Sequence, residues 1–306
     1  MVMTTLSTTI DRNSAGRVDV VVRQLSESSH SQVRGMVDHG CVSINGAMCQ
    51  TGATTVAAGD LVSIRFDRTQ RYHKKKKRWD DRTFTVSFED DHLIVVDKSA
   101  GTLTVPTNRD EINTLVDRVS IYLSHSRSKR EAWLVHRLDR DVSGLVIFGK
   151  HEKAATQLIS QFKERNPARV YAAIVAGVVS NDQGTFHSHL GTGKNLDRYV
   201  TRSSPKTELA ITHYRVLRRM SDTTLVEVTL ETGRRNQIRV QFANAEHPVL
   251  GDPRYKTTLA MHPRWIRKRI ALHAVSLGFE HPVSGEAMQI VSPLPAAIEK
   301  FLAGSH

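Results

Sequence analysis

Between residues 170 and 230 one strand-like run follows another with no helical period between them, and this succession restricts the fold more than any other feature. Residues 170–179 and 211–218 read as strands, and 224–230 sets Val226, Val228 and Leu230 in alternation with polar residues. Residues 272–279 form a further strand, and 93–97 is a short apolar run suited to a buried one. Helical spacing is confined to a few places. Residues 151–164 put Ala154, Ala155, Leu158, Ile159 and Phe162 on one face, and 295–302 is expected as a terminal helix with proline in its first turn. Parallel neighbours need a long crossover, usually a helix, and several of these strands have none between them. The expectation is an α+β fold on a mixed, largely antiparallel sheet.

A second, smaller unit precedes that sheet. Val18, Val21, Val22 and Leu25 repeat at helical spacing, as do Val33, Met36 and Val37, and Gly40 then ends the helix. Short strands are expected around 41–45 and 61–66, with turns at Asn45-Gly46 and Gly59-Asp60. The run Arg71, Tyr72, His73, Lys74, Lys75, Lys76, Lys77, Arg78, Trp79 is too charged for a core and reads as a linker. Four segments result: a flexible start over 1–16, a small α+β domain over 17–66, a basic linker over 67–83 and a large domain over 84–306. The formal net charge of +12 is unevenly spread. Residues 1–66 carry five Lys/Arg and five Asp/Glu, whereas 67–82 carry eight against three. A field concentrated in this way suggests a polyanionic partner, with Tyr72 and Trp79 placed to stack on bases beside the cations.

The string from Ser31 through Asn45-Gly46 to Gly59-Asp60 resembles the RNA-binding module named after ribosomal protein S-four. The basic residues that family carries on its second helix are represented here by Arg34 and His39. The string His136-Arg137-Leu138-Asp139-Arg140-Asp141-Val142-Ser143-Gly144-Leu145 is a charged loop leading into an apolar strand, a setting equally suited to a cleft or to a surface ion cluster. It resembles the signature of the RluA-type RNA pseudouridine synthases, with Val142 where threonine is usual. Three further stretches agree in order: 93–101; 169–177, with Tyr171; and 230–240, followed by His247-Pro248 and 251–255. Leu272-His273-Ala274 and His281-Pro282 match the family's closing strands. The resemblance covers residues 84–303 and implies the pseudouridine synthase fold.

What the resemblance implies for chemistry is specific. Pseudouridine formation breaks the bond from ribose to a ring nitrogen, turns the uracil and rejoins it through carbon 5, so neither redox cofactor nor metal is expected. Asp139 takes the position of the nucleophile, Arg239 that of its salt-bridge partner, and Tyr171 that of the active-site tyrosine. A buried carboxylate needs such a cation to stay ionised. The phenol offers a flat face and a group for the proton at carbon 5. The target base must leave its stack, and Arg137 takes the position that fills the vacated place. RNA contact is further expected of His136, Lys98, Arg234, Arg34, Lys74, Lys75, Lys76, Lys77 and Arg78. Arg235, Asn236 and Gln241 depart from the family's pattern at positions expected near the substrate.

No apolar window approaches a bilayer span, and the polar, threonine-rich start lacks the pattern of a signal peptide. Two cysteines make no disulfide framework. The expected setting is a cytoplasmic monomer acting on structured RNA, foremost large-subunit ribosomal RNA or ribosome-assembly intermediates. Transfer RNA is the alternative substrate. Two further readings remain open at this point: a catalytically weakened RNA-binding assembly factor, and an RNA hydrolase using Asp139 and His136.

Overall fold

The computed structural model describes residues 3–49, 51–70, 72, 81–107, 111–124, 131–164, 167–194, 197–266 and 268–304. The chain divides into two compact units, Met1–Arg78 and Trp79–His306.

In the first unit β1 (Met3–Thr9), β2 (Gly16–Arg17), α1 (Val18–Ser26), α2 (His30–Asp38), β3 (Val42–Ile44), β4 (Ala47–Met48), β5 (Thr55–Val56) and β6 (Leu61–Asp67) follow in order. Four strands form a sheet in the order β1-β6-β3-β4. The helical repeats bury Val18, Val22, Val33 and Met36 in one core with Val62 and Ile64 of β6. Residues 1–16, expected to be flexible, instead supply β1, which runs antiparallel to β6 from Met3 opposite Asp67 to Thr9 opposite Leu61. Its threonines are β-branched and suit a pleated, half-exposed edge, so a polar composition concealed a strand. Tyr72 also departs from expectation. It is 6% exposed, its hydroxyl accepts the Asp67 N–H at 2.7 Å, and its own N–H donates to Gln32 Oε1. Tyr72 is therefore a core residue and no stacking platform. Lys74 to Lys77, Arg78 and Trp79 lie outside the described residues.

The second unit comprises β7 (Phe84–Glu89), β8 (Leu93–Lys98), α3 (Leu115–Ser124), β9 (Trp133–Leu134), β10 (Ser143–Gly149), α4 (Glu152–Lys163), β11 (Ala168–Ala176), β12 (Gln183–Thr192), β13 (Arg198–Thr201), β14 (Glu208–Arg219), β15 (Thr223–Leu230), α5 (Gln237–Asn244), α6 (Thr257–Ala260), β16 (Leu272–Glu280), β17 (Ala287–Val291) and α7 (Ala296–Ala303). One sheet runs β13-β12-β14-β15-β11-β16-β10-β8-β7, with β17 on β16 and β9 on β10. Among the described residues its pairings are antiparallel except that of β10 with β16. The sheet is mixed and mostly antiparallel.

Strand β10 is buried along its whole length, as is most of β8, because both faces are covered. Ile94, Val96, Val146 and Phe148 point to one side, where Leu115, Val119 and Leu123 of α3 close the core. Leu93, Val95, Leu145 and Ile147 point to the other, under Leu158 of α4. At the start of β10, Gly144 has φ +117°, and a Cβ there would lie 2.4 Å from the backbone N and O of Ala274 in β16. That parallel contact admits only glycine. It fixes where the charged loop before β10 ends. Pro295, expected inside the first turn of the last helix, caps it from an extended conformation instead. No helix among the described residues is long and apolar enough to cross a membrane.

Candidate active site

The loop between β9 and β10 is held on several sides. Leu138 is buried, and its carbonyl accepts from Thr104 Oγ1 at 2.7 Å while its N–H donates back to the same oxygen at 3.2 Å. Two residues on, the Arg140 carbonyl accepts from the Gly101 N–H at 2.8 Å and from Lys98 Nζ at 2.9 Å. Between these anchors stands Asp139, its carboxylate 24% exposed. Oδ2 lies 2.7 Å from Arg239 Nη1, and Oδ1 has no hydrogen-bond partner among the described residues.

Arg239 comes from the first turn of α5 and is almost buried. Asp252 grips it from the far side, with Nε to Oδ2 at 2.7 Å and Nη2 to Oδ1 at 2.9 Å. The ring of Tyr255 lies 5.3 Å from the guanidinium carbon. Burial works against the Arg239 charge, but Asp252 and then Asp139 more than offset it and hold the guanidinium firmly protonated. Asp252 in turn accepts the backbone N–H groups of Arg254 and Tyr255. One cation thus stands between a fully buried carboxylate and a partly exposed one, and only the second reaches solvent.

Tyr171 sits on β11, where a bulge between Val170 and Tyr171 shifts the register against β16. Burial raises the phenol above its ordinary value, Arg169 pulls it down and Asp139 pushes it up. The group is therefore neutral at rest. Asp139, Tyr171 and Arg239 line one cleft of about 400 Å³, together with Arg137, Leu230 and Asn236. Arg137 is exposed, and Arg234 reaches the cleft while paired with Glu208 at 3.1 Å.

Several expected contacts are corrected. Lys98 has no exposed surface, and its ammonium donates to the carbonyls of Ser99, Thr102 and Arg140, so it braces the loop and does not meet phosphate. His136 stacks on Phe162 at 4.7 Å and its Nε2 accepts the Ile147 N–H. Burial pushes its imidazole down to about 3, with Arg169 adding to the shift, so it is a neutral wall and offers RNA no charge. A hydrolytic role for it also fails, because the accepting nitrogen is occupied. Gln241, expected near substrate, is buried and ties α5 to Thr212, Ser188 and Ala210. Asn236 does line the cleft, where Oδ1 accepts from Arg239 and Nδ2 donates to Tyr255. Arg235 and Arg34 are exposed, Arg34 on the outer side of α2. Two residues of the site fall in the matching stretches 230–240 and 251–255 without having been given a role: Asp252, and Gln237, whose buried amide links Thr232, Ile211, Thr212 and the Arg234 N–H.

The chain as a whole is similar to known proteins. A family model described as RNA pseudouridylate synthase matches residues 92–244, and one described as S4 domain matches residues 16–62. The ribosomal large subunit pseudouridine synthase D of Pseudomonas aeruginosa is 32% identical over 94% of this chain and 90% of its own length. The protein of the same name from Nitrosomonas europaea is 34% identical over 95% of this chain and 85% of its own. Among solved structures, human RNA pseudouridylate synthase domain containing 4 superposes with a TM-score of 0.60 at 22% identity, covering 71% of this chain and 91% of its own. Human RNA pseudouridylate synthase domain containing 1 gives 0.58 at 22% identity, with 69% and 84% covered. These two likenesses bear on the fold alone.

Proposed function

The chain belongs to the RNA pseudouridylate synthase family and isomerises uridine to pseudouridine in RNA, and we propose that it does so in large-subunit ribosomal RNA with Asp139 as the nucleophile. The observation that carries the role of Asp139 is the Asp252–Arg239–Asp139 arrangement, which presents one anionic carboxylate beside a tyrosine in a cleft. The relatives' names, ribosomal large subunit pseudouridine synthase D, support the ribosomal target. The small first unit and the basic linker bring the RNA, and the enzyme works in the cytoplasm as a monomer on ribosome-assembly intermediates.

The chemistry follows from the geometry. The target uridine flips into the cleft at a cost of a few kcal/mol, and Arg137 at the mouth takes its place in the stack. Asp139 adds to the base or displaces it at the anomeric carbon; in both routes Arg239 holds the carboxylate in place through its 2.7 Å bond to Oδ2. The carbon–nitrogen bond breaks, uracil turns against the Tyr171 face, a carbon–carbon bond to the ribose forms as the bond to Asp139 is released, and the freed ring nitrogen takes up a proton. The proton then leaves carbon 5, with the Tyr171 phenol at hand to exchange it. Departures from the family pattern do not disable this site: Asn236 serves Arg239, and Gln241 serves packing. That favours an enzyme over a decayed assembly factor.

The test is tritium release from RNA labelled at uracil carbon 5. Wild type should release tritium, whereas Asp139→Asn should release none while RNA affinity stays within a few-fold. Substantial turnover by Asp139→Asn would remove the nucleophile assignment. Mapping ribosomal pseudouridines with and without the gene tests the target.

A further inference from the structure

Beside the active-site cleft lies a wider hollow of about 1150 Å³ that shares Arg137, Tyr171, Leu230 and Arg234 with it. Arg169, two residues before Tyr171 on β11, lies in its wall. The Arg169 guanidinium packs over the Phe162 ring at 5.6 Å, and among the described residues Nη2 reaches only the Leu230 carbonyl, at 3.4 Å. Its Nε is buried without a hydrogen-bond partner. A guanidinium has five donors, and burying one so poorly matched is costly unless a ligand completes it. Gly233 makes the position possible, since a Cβ there would stand 2.4 Å from Arg169 Nη1. Lys163 adds charge at the rim. Glu231, the one carboxylate among the lining residues, is engaged by His213 Nε2 at 2.7 Å.

We propose that this hollow is a phosphate subsite, in which Arg169 holds a backbone phosphodiester of the RNA next to the flipped uridine. Arg137, common to both hollows, stands where the two adjoining nucleotides part. A phosphate is the fitting ligand because its oxygens accept two parallel N–H bonds from a planar guanidinium. Burial lowers the Arg169 guanidinium from its ordinary value, and an anion beside it would raise it again. The inference rests on reading the neighbouring cleft as an RNA active site.

The experiment uses the full chain and a fluorescently labelled transcript of a large-subunit ribosomal RNA fragment, titrated by anisotropy across a range of potassium chloride. Arg169→Gln should weaken binding about tenfold at low salt. It should also flatten the plot of log affinity against log salt by roughly 0.7 to 0.9, the value of one lost phosphate contact. Arg169→Lys should keep the wild-type slope, because the charge remains. Gly233→Ala should weaken binding several-fold, because its new methyl displaces the guanidinium, and it serves as the second variant if Arg169→Gln folds poorly. Wild-type affinity and slope in Arg169→Gln or in Gly233→Ala would overturn the proposal. So would weaker binding on parallel slopes in Arg169→Gln, which would mean packing on Phe162 alone. Binding is read without catalysis, so absence of tritium release by the wild-type enzyme would sink the functional reading while these slopes still judged Arg169.

Discussion

Lys98 has no exposed surface; burial lowers its amine to about 7, against the pull of Asp141 and Asp139, and the amine donates to three loop carbonyls, one of them next to Asp139. Replacing it with methionine leaves those oxygens without their donor at a cost of about 2 kcal/mol or more. Lys98→Met should therefore lower the urea midpoint and turnover while leaving the salt slope of RNA binding intact; a changed slope would return Lys98 to the RNA surface. His136 makes a prediction in pH. An unfolded histidine titrates near 6.5, but here burial holds the ring neutral down to about 3. Between those values the unfolded chain binds the extra proton, so stability from this residue is complete above pH 6.5 and is lost as pH falls toward 3. His136→Phe should flatten the acid limb of stability against pH, and an unchanged limb would refute the assignment. Asp139, Tyr171 and Arg239 were legible because their neighbours spell a recognisable string. Lys98 was misread because Asp97, Ser99 and Gly101 around it look like a surface turn. Asp252 and Gln237 lay inside the matching stretches yet received no role, since one polar residue in a polar stretch does not announce how many partners converge on it.

Elements were legible where one face is wet and one dry. Strand β15 buries Val226 and Val228 around a half-buried Glu227 as its alternation implies, though Thr223 to Leu225 are buried as well, and α4 presents the apolar face its spacing implies. Helix α5 gave no such signal, because Gln237 through Ala243 are all buried and no polar face remains to create a period. Yet α5 supplies Arg239, so an element that lines the cleft is among those periodicity missed. Strand β12 stayed hidden for the opposite reason: most of its residues are polar and partly exposed. The union of β10 and β16 offers a sharp test at this scale. Gly144→Ala places a methyl within 2.4 Å of the Ala274 backbone at φ +117°, so the strands must part. Backbone strain alone costs about 1–3 kcal/mol, and the clash adds to it. Urea unfolding should show a loss of at least about 3 kcal/mol, with turnover falling as the Asp139 loop loses its end-point. A variant as stable as wild type would mean that the parallel pair is not tight.

At the scale of the whole molecule the question is which part captures RNA. The first 66 residues have five cations and five anions, so the S4 domain brings little net field of its own. Arg71, Lys74, Lys75, Lys76, Lys77 and Arg78 supply six cations in the stretch that joins it to the catalytic unit. A cluster of this density draws in a polyanion over distances on the order of a Debye length, about 8 Å at physiological salt. Each phosphate it neutralises adds roughly 0.7 to 0.9 to the slope of log affinity against log salt. Changing the four lysines to glutamine should flatten that slope by up to about three units. The Michaelis constant should rise accordingly. Turnover at saturating RNA should barely change, because Asp139 and Arg239 belong to the other unit and keep their own partners. A salt titration of wild type and the four-lysine variant on the same transcript separates the cases. Parallel lines would make the run a solvated tether and leave RNA capture to the catalytic unit and the S4 domain.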